Sequence, residues 1–297
     1  MKNIIKTIIL LKEKMKNTDL HTHSYYSDGE YSPKDVIRKA KKLGIKNIAL
    51  TDHCSVSGLE EAVKEGKLIG VEVIPGVEIT AKHSEILGYF IDYKNPKLKK
   101  ILKNCGFYEN ELTKLKINGL REQGINISYN NFLKSYYYAK GNYNLSHLWH
   151  YLVKERGFTG KQAIELVKQV KVKKPLNKNV SVVRAIKIVK QFGGVPVLAH
   201  PWLDKEVLNE KNIKIYVKAG LKGIELENGD YNRFGRDKKT VQRIKNIAKK
   251  YDLILTVGSD FHGEFMTELS KGHQFSKFLC DEKIVEKLKE QKKEELK

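Results

Sequence analysis

The stretch DLHTHSYYSDGEYSP, Asp19 to Pro33, sets two histidines one residue apart after an apolar position and follows them with a Ser-Asp-Gly turn. Alternate side chains of a β-strand point to the same face, so His21 and His23 would present two imidazoles side by side. A strand end equipped in this way can grip a metal. It can equally be a solvated strand end that carries two histidines, and the rest of the chain has to decide.

Outward from this stretch, Ser32 and Pro33 have N-cap and N1 character, VIRKAKKL follows with helical spacing, and Gly44 closes the helix. NIALTDH reads as a strand ending on Asp52 and His53, residues 57–66 as a helix, and VEVIPGVEIT as a strand interrupted at Pro75-Gly76 and ending near Glu78. The rhythm returns late in the chain: VVRAIKIVKQFG is a helix, VPVLAHP a strand, IYVKAGLK a helix, GIELEN a strand, TVQRIKNIAKKYD a helix and LILTVGSDFHG a strand. Repeated strand–helix units predict a parallel sheet closed or covered by helices, with functional groups at the carboxyl ends of the strands. Between the two halves, ELTKLKINGLREQG, SHLWHYLVKERG and TGKQAIELVKQV look helical and no buried strand is evident, which predicts a helical insertion capping the barrel mouth.

The 297 residues, 40% of them hydrophobic, suffice for one large barrel or two ordinary domains. The 56 Lys and Arg against 35 Asp and Glu give a formal charge of +21, which favours polyanionic partners. Most of the excess lies between Lys94 and Lys190, where 21 basic residues face 5 acidic ones. Cys54, Cys105 and Cys280 form no CxxC pair, so neither a disulfide framework nor a thiolate zinc site is indicated, and a cytoplasmic location is expected. The opening IIKTIILL is interrupted by Lys6 and lacks a cleavage site, so residues 1–16 read as an extension without a catalytic role or as a leader ahead of an internal start at Met15. No other apolar run reaches membrane-spanning length, and no P-loop or GxGxxG signature occurs.

Collected from the strand ends, His21, His23, Asp28, His53, Glu78, His200, Asp260 and His262 form a set of nitrogen and oxygen donors. Asp260 and His262 repeat the one-residue spacing of the first pair, so two strand ends can each offer two ligands to one centre. Mixed imidazole and carboxylate ligation suits Zn²⁺, Mn²⁺ or Fe²⁺, and eight such groups exceed one tetrahedral site. Two or three divalent ions are therefore expected, with Glu78 as a bridge, and ions about 3.5–4 Å apart can hold a hydroxide and clamp a phosphoryl group. Each residue alone could instead be a capping or core hydrogen-bonding group.

The motifs DLHTHSYYSDG, LTDH, PGVEIT, AHPW and GSDFHG, in this order, resemble those of the PHP (polymerase and histidinol phosphatase) family of metal-dependent phosphoesterases. The resemblance covers roughly residues 17–95 and 180–265. It implies an α/β fold, a distorted seven-stranded (β/α) barrel with a di- or trinuclear centre at its C-terminal mouth. The layout is most similar to the subgroup acting on nucleoside 3′,5′-bisphosphates and short RNA ends, which carries a helical insertion where this chain is basic. On this basis residues 1–16 form an extension, 17–95 and 180–297 the barrel, and 96–179 the insertion. The eight donors above sit on the family's ligand motifs, Glu78, His200 and Asp260 being assigned the catalytic roles. His147, in LSHLWHYLV, resembles an insertion histidine facing the same centre.

Two positions depart from the pattern. Glu85 stands in SEILGYF where the subgroup has histidine, with His83 the nearest imidazole, so Glu85 is a further candidate for a third metal site. Asn144-Leu145-Ser146-His147 replaces Gly-Arg-Pro-His, which removes an arginine suited to clamping phosphate. Lys140 and Arg184 are the substrate-binding cations expected in its stead. Between Phe132 and Tyr151, Lys134, Lys140 and His147 alternate with Tyr136, Tyr137, Tyr138, Tyr143 and Trp149, a pattern suited to a nucleotide or short RNA and equally to the core of a small cap. The leading expectation is a hydrolase of phosphate esters on nucleotides or oligonucleotide ends. The alternatives are a small-metabolite phosphatase such as one for histidinol phosphate, and a non-catalytic metal- or nucleic-acid-binding module. No membrane association and no obligate protein partner are indicated.

Overall fold

In the computed structural model, residues 16–140, 142–173, 175, 180–204, 206–227, 238–270, 273–275 and 277–295 are described. The reading of residues 1–15 and the end of GIELEN at Asn228 lie outside them.

The first half follows the expected alternation: β1 (Lys16–Thr22), α1 (Pro33–Lys42), β2 (Asn47–Leu50), α2 (Leu59–Ile69) and β3 (Glu72–Ala81). Ser32 caps α1, its hydroxyl accepting from the Asp35 amide at 3.0 Å. Two details differ from the sequence reading. The helix expected over residues 57–66 starts later and runs to Ile69, where Gly70 ends it in the left-handed region. β3 is not interrupted at Pro75-Gly76: Pro75 keeps register with Leu50, and a Cβ at Gly76 would stand 2.7 Å from Thr51 Cγ2 and 3.0 Å from the Leu50 carbonyl oxygen. Glycine there answers a close backbone approach rather than a break.

A strand absent from the sequence reading, β4 (Ser84–Tyr89), follows β3 through a two-residue turn and pairs antiparallel with it and with β5 (Val195–Leu198). Among the described residues five α-helices separate β4 from the second half: α3 (Pro96–Cys105), α4 (Phe107–Glu122), α5 (Tyr129–Ser135), α6 (Leu145–Arg156) and α7 (Gly160–Gln169). α3 still packs on the barrel through Leu98 and Leu102. From α4 onward the helices enclose a second apolar cluster that includes Ile117, Leu120, Phe132, Leu148 and Leu152. Tyr136 and Tyr151 are buried in it, so part of the aromatic alternation is core.

After α8 (Val182–Gln191) and β5 come α9 (Glu210–Ala219), β6 (Gly223–Glu227), α10 (Lys238–Tyr251), β7 (Ile254–Val257), α11 (Glu264–Ser270), β8 (Cys280–Asp281) and α12 (Lys283–Glu295). The sheet runs β7-β6-β5-β4-β3-β2-β1-β8. Past β7 the chain returns to β1: Phe261 bridges Thr22, the Asp260 amide donates to the His21 carbonyl at 2.8 Å, and the His23 amide donates to the Phe261 carbonyl at 2.9 Å. Seven strands thus approach closure, and the ends of β1 and β7 meet at one mouth. All three cysteines are free and buried. No helix among the described residues is long and apolar enough to cross a membrane.

Candidate metal centre

The donors from the strand ends converge at that mouth. His21 closes the inward face of β1; its Nε2 stands 3.0 Å from Glu78 Oε2 and 3.3 Å from Asp260 Oδ1. His23 Nε2 stands 3.2 Å from the same Asp260 oxygen and 3.4 Å from Glu78 Oε2. His53 Nδ1 is 3.2 Å from Glu78 Oε2, and His200 Nε2 is 2.9 Å from Glu78 Oε1. Glu78, fully buried on β3, therefore faces four imidazoles with two oxygens.

On the other side, Asp28 Oδ1 lies 3.3 Å from His262 Nε2 and 3.8 Å from His53 Nε2. The loop carrying His23 and Asp28 is pinned from the end of β2. Asp52 accepts from the Ser24 amide and hydroxyl at 2.7 Å each and from the Ser27 hydroxyl at 2.8 Å. Asp260 and His262 are near one another as expected, but not by strand alternation. β7 ends at Val257, Asp260 has φ +53°, and His262 Nδ1 turns back to the Asp260 carbonyl at 2.7 Å.

The two candidates near the third position separate clearly. Glu85 Oε1 is 3.3 Å from His53 Nδ1, its Oε2 is 3.2 Å from His200 Nε2, and Thr80 opposite it in β3 donates to Oε1 at 2.9 Å. His83 sits in the β3–β4 turn at φ +70° and pairs with Asp204 at 3.2 Å, its side chain mostly exposed. His147 is buried on the first turn of α6, where its Nδ1 lies 2.9 Å from Asn144 Oδ1. Asn144, in the place of the subgroup's glycine, donates to Asp28 Oδ2 at 2.7 Å and so ties the helical region to the cluster.

Two residues of the cluster escaped the sequence reading. Glu225 on β6 is buried; its Oε1 is 3.0 Å from His21 Nδ1 and its Oε2 accepts from the His200 amide at 2.8 Å. His273 is buried, with Nδ1 2.6 Å from the Asp260 carbonyl oxygen.

Charge in the cluster is mutually determined. Burial alone would raise Glu78 and Asp260, yet His21 and His53 beside Glu78, and His21, His262 and His273 beside Asp260, hold both carboxyls well below the usual range. Burial opposes the charged forms of His21, His53 and His200, but the facing carboxylates lift all three well above the usual imidazole range. His23 is pushed down to about 3 by burial and by the adjacent His262 and His53. The carboxylates thus demand positive charge in a largely buried site, which divalent cations can supply.

The donor set fits such cations. His23, Asp28, His53 and His262 form one group whose ligand atoms all lie within 4.8 Å of one another; His21, His23, Glu78 and Asp260 form a second. Asp260, His262 and His273, and His53, Glu78 and Glu85, meet the same condition. Asp28 Oδ1 and His53 Nδ1 are buried without a well-aligned hydrogen bond. All the donors are oxygen or imidazole nitrogen, as Mn²⁺, Fe²⁺ or Zn²⁺ accept.

The cluster floors a cavity of about 540 Å³, walled by Asn142, Tyr143, Ser146 and Trp149 and by Pro201, Leu203, Asp204 and Val207. Neither Lys140 nor Arg184 lines it, nor does any other Lys or Arg among the described residues.

A family model for the PHP domain matches residues 19–256. The chain is 28% identical over 264 residues to a 5′-3′ exoribonuclease of Haemophilus influenzae, covering 83% of this chain and 90% of the relative. It is 29% identical over 262 residues to a phosphoribosyl 1,2-cyclic phosphate 1,2-diphosphodiesterase of Eggerthella lenta, covering 83% and 94%. Among solved structures, a presumed metal-dependent phosphoesterase of Bifidobacterium adolescentis superposes with a TM-score of 0.80 at 26% identity, covering 93% of this chain and 96% of that one. A match over most of the chain, carried on the barrel whose mouth gathers these donors, makes the protein a member of the PHP domain family and a hydrolase of phosphoester bonds.

Proposed function

We propose that the protein is a metal-dependent phosphoesterase acting on phosphate esters at the ends of nucleotides or short RNA chains, with two or three divalent ions at the mouth of the barrel. The observation that carries the reading is the position of Glu78, buried beneath four imidazoles and shared between two groups of potential ligands. His21, His23, Asp28, His53, Glu78, His200, Asp260 and His262 hold the ions, with Glu85 and His273 completing sites at either side. His147 lines a small pocket beside Asp28 without joining any of the four ligand groups, and the helices α4 to α7 act as a cap over the mouth.

Bound divalent cations supply Lewis acidity to the phosphoryl oxygens and to the attacking water. The protein's part is to hold the donors and shape the cavity. Glu78 and Asp260 each serve two ligand groups and so keep neighbouring positions at fixed separation. Glu225 fixes the ring of His21 from behind and the backbone of His200, and His200 and Glu85 close the side nearest β4. A cavity of about 540 Å³ suits a ligand of nucleotide size. The names of the two relatives specify phosphodiesters of ribose, which supports a ribose phosphate as the substrate class.

A second reading, a small-metabolite phosphatase such as one for histidinol phosphate, draws on Glu109 and Asp204 in the cavity wall, which suit an ammonium group. A phosphate-release screen separates the two. Short 5′-phosphorylated RNAs, nucleoside 3′,5′-bisphosphates, a ribose cyclic phosphate and histidinol phosphate are assayed on metal-loaded protein with its metal content measured. Highest kcat/KM on the RNAs or bisphosphates supports the proposal, and highest kcat/KM on histidinol phosphate replaces it. Metal binding without turnover of any ester leaves a non-catalytic module.

A further inference from the structure

None of the described Lys and Arg between Lys94 and Lys190 lines the cavity, yet three of them come to its rim. A groove of about 170 Å³ adjoins the cavity and shares Cys54 and Asn142 with it. Both residues touch the metal cluster's own backbone: Cys54 follows His53 in the chain, and Asn142 Nδ2 donates to the His53 carbonyl.

Three lysines line this groove. Lys99 and Lys103 stand one turn apart on α3, hence on one face of the helix, and Lys140 joins them from the opposite wall. All three are exposed, and none forms an ion pair with a described residue. Beyond the groove, Lys140 Nζ lies 4.8 Å from the Tyr26 ring centre. From Tyr26 the rings continue to Tyr25 at 5.1 Å, to Tyr138 at 4.8 Å and to Tyr137 at 5.5 Å, the last of these 75% exposed.

We propose that the lysine groove and the tyrosine run beyond it form a track for single-stranded RNA whose terminal phosphoester lies in the cavity. The inference rests on the function proposed above and extends it to substrates longer than one nucleotide. Phosphates need cations and bases need flat apolar faces, and the track offers both beside the cavity. Among the described residues no Lys or Arg lines the cavity, which leaves recognition of further phosphates to this rim. An acidic peptide would use the lysines but would gain nothing from four successive rings.

The test compares wild type with the Lys99→Gln/Lys103→Gln double variant on RNAs of two to six nucleotides and on an aryl phosphate too small to reach the groove. For wild type, KM is expected to fall with chain length and to rise steeply with salt. In the variant, KM for the hexamer should rise roughly tenfold, and the slope of log KM against log salt should drop by about 0.7 per lysine removed. Aryl phosphate hydrolysis should stay unchanged, showing that the variant is folded. Tyr137→Ala should reduce the length preference without altering the salt slope. Unchanged hexamer KM and salt slope in the double variant, with wild type showing both, overturn the track and leave the proposed function standing. Wild-type turnover of small monoesters alone overturns both. Inhibition by polyglutamate as strong as by non-hydrolysable RNA overturns the assignment of the groove to nucleic acid.

Discussion

Replacing Glu225 by glutamine keeps the shape of the side chain and removes one acceptor. Its two oxygens face His21 Nδ1 at 3.0 Å and the His200 backbone N–H at 2.8 Å. If His21 Nε2 offers its lone pair to a cation near Glu78 and Asp260, Nδ1 must carry the proton, so both of these groups facing Glu225 are donors. A glutamine has one oxygen and one NH₂, and can satisfy only one of them. The other meets a donor, or His21 shifts its proton to Nε2 and forfeits the lone pair. Either outcome loses one hydrogen bond to a charged group in a buried site, about 2 kcal/mol, which corresponds to roughly thirtyfold in metal affinity or rate. The assay strips the protein with chelator and titrates Mn²⁺ or Zn²⁺ while following aryl phosphate hydrolysis. The half-saturating metal concentration should rise roughly thirtyfold in Glu225→Gln, with thermal melting confirming a folded chain. Metal dependence within threefold of wild type and an unchanged kcat would refute the orienting role.

Other substitutions probe the same account. Glu85→Ala should weaken one metal site selectively, and Glu85→His should restore it with a preference shifted towards imidazole-favouring ions. Metal content and metal dependence unchanged in both variants would leave Glu85 outside the centre. Gly258→Ala would set a Cβ 2.5 Å from the His21 backbone nitrogen, an overlap that rigid backbone cannot relieve. A loss of about 1–3 kcal/mol in urea unfolding is expected, together with weakened metal binding; equal stability would show that β1 can move there. Asn144→Ala removes both a helix cap and the bond to Asp28, so a destabilisation of about 1 kcal/mol should accompany a higher metal requirement. A stability loss with metal binding intact would restrict Asn144 to capping.

Period-two and helical patterns made β1–β3 and β5–β7 with their helices legible, because each carries a continuous apolar face bounded by Ser-Pro, Gly or Asp-His signals. β4 was not, since SEILGY mixes Glu and Gly with three apolar residues and its antiparallel partners lie on either side of a long helical segment. His21, His23 and His53 could be picked out because each lies at or just beyond a strand end, whereas Glu78, expected near the end of its strand, lies within β3, which runs on to Ala81. Glu225 carried a signal that went unused: an ionisable residue inside the otherwise buried Gly223–Ile224–Glu225 segment of β6. His273 carried none, lying outside any helix or strand and meeting Asp260 through the fold alone. The spacing of Asp260 and His262 suggested a pair for the wrong reason, because backbone reversal after β7, not strand alternation, sets them together. Of the two cations chosen by sequence proximity to the motifs, Lys140 faces the groove beside the cavity, and Arg184, exposed on α8, lines neither.

Metal content and phosphoesterase activity measured on one preparation bear most directly on the central claim. The wild-type chain should carry two or three divalent ions, lose hydrolysis of a 5′-phosphorylated dinucleotide on chelation, and regain it when Mn²⁺, Zn²⁺ or Fe²⁺ is returned. Asp260→Ala, which removes a carboxylate shared by two ligand groups, should bind fewer ions and stay inactive after reloading. Full activity in the chelated wild type, or wild-type metal content and rate in Asp260→Ala, would contradict a metal centre at the mouth of this barrel.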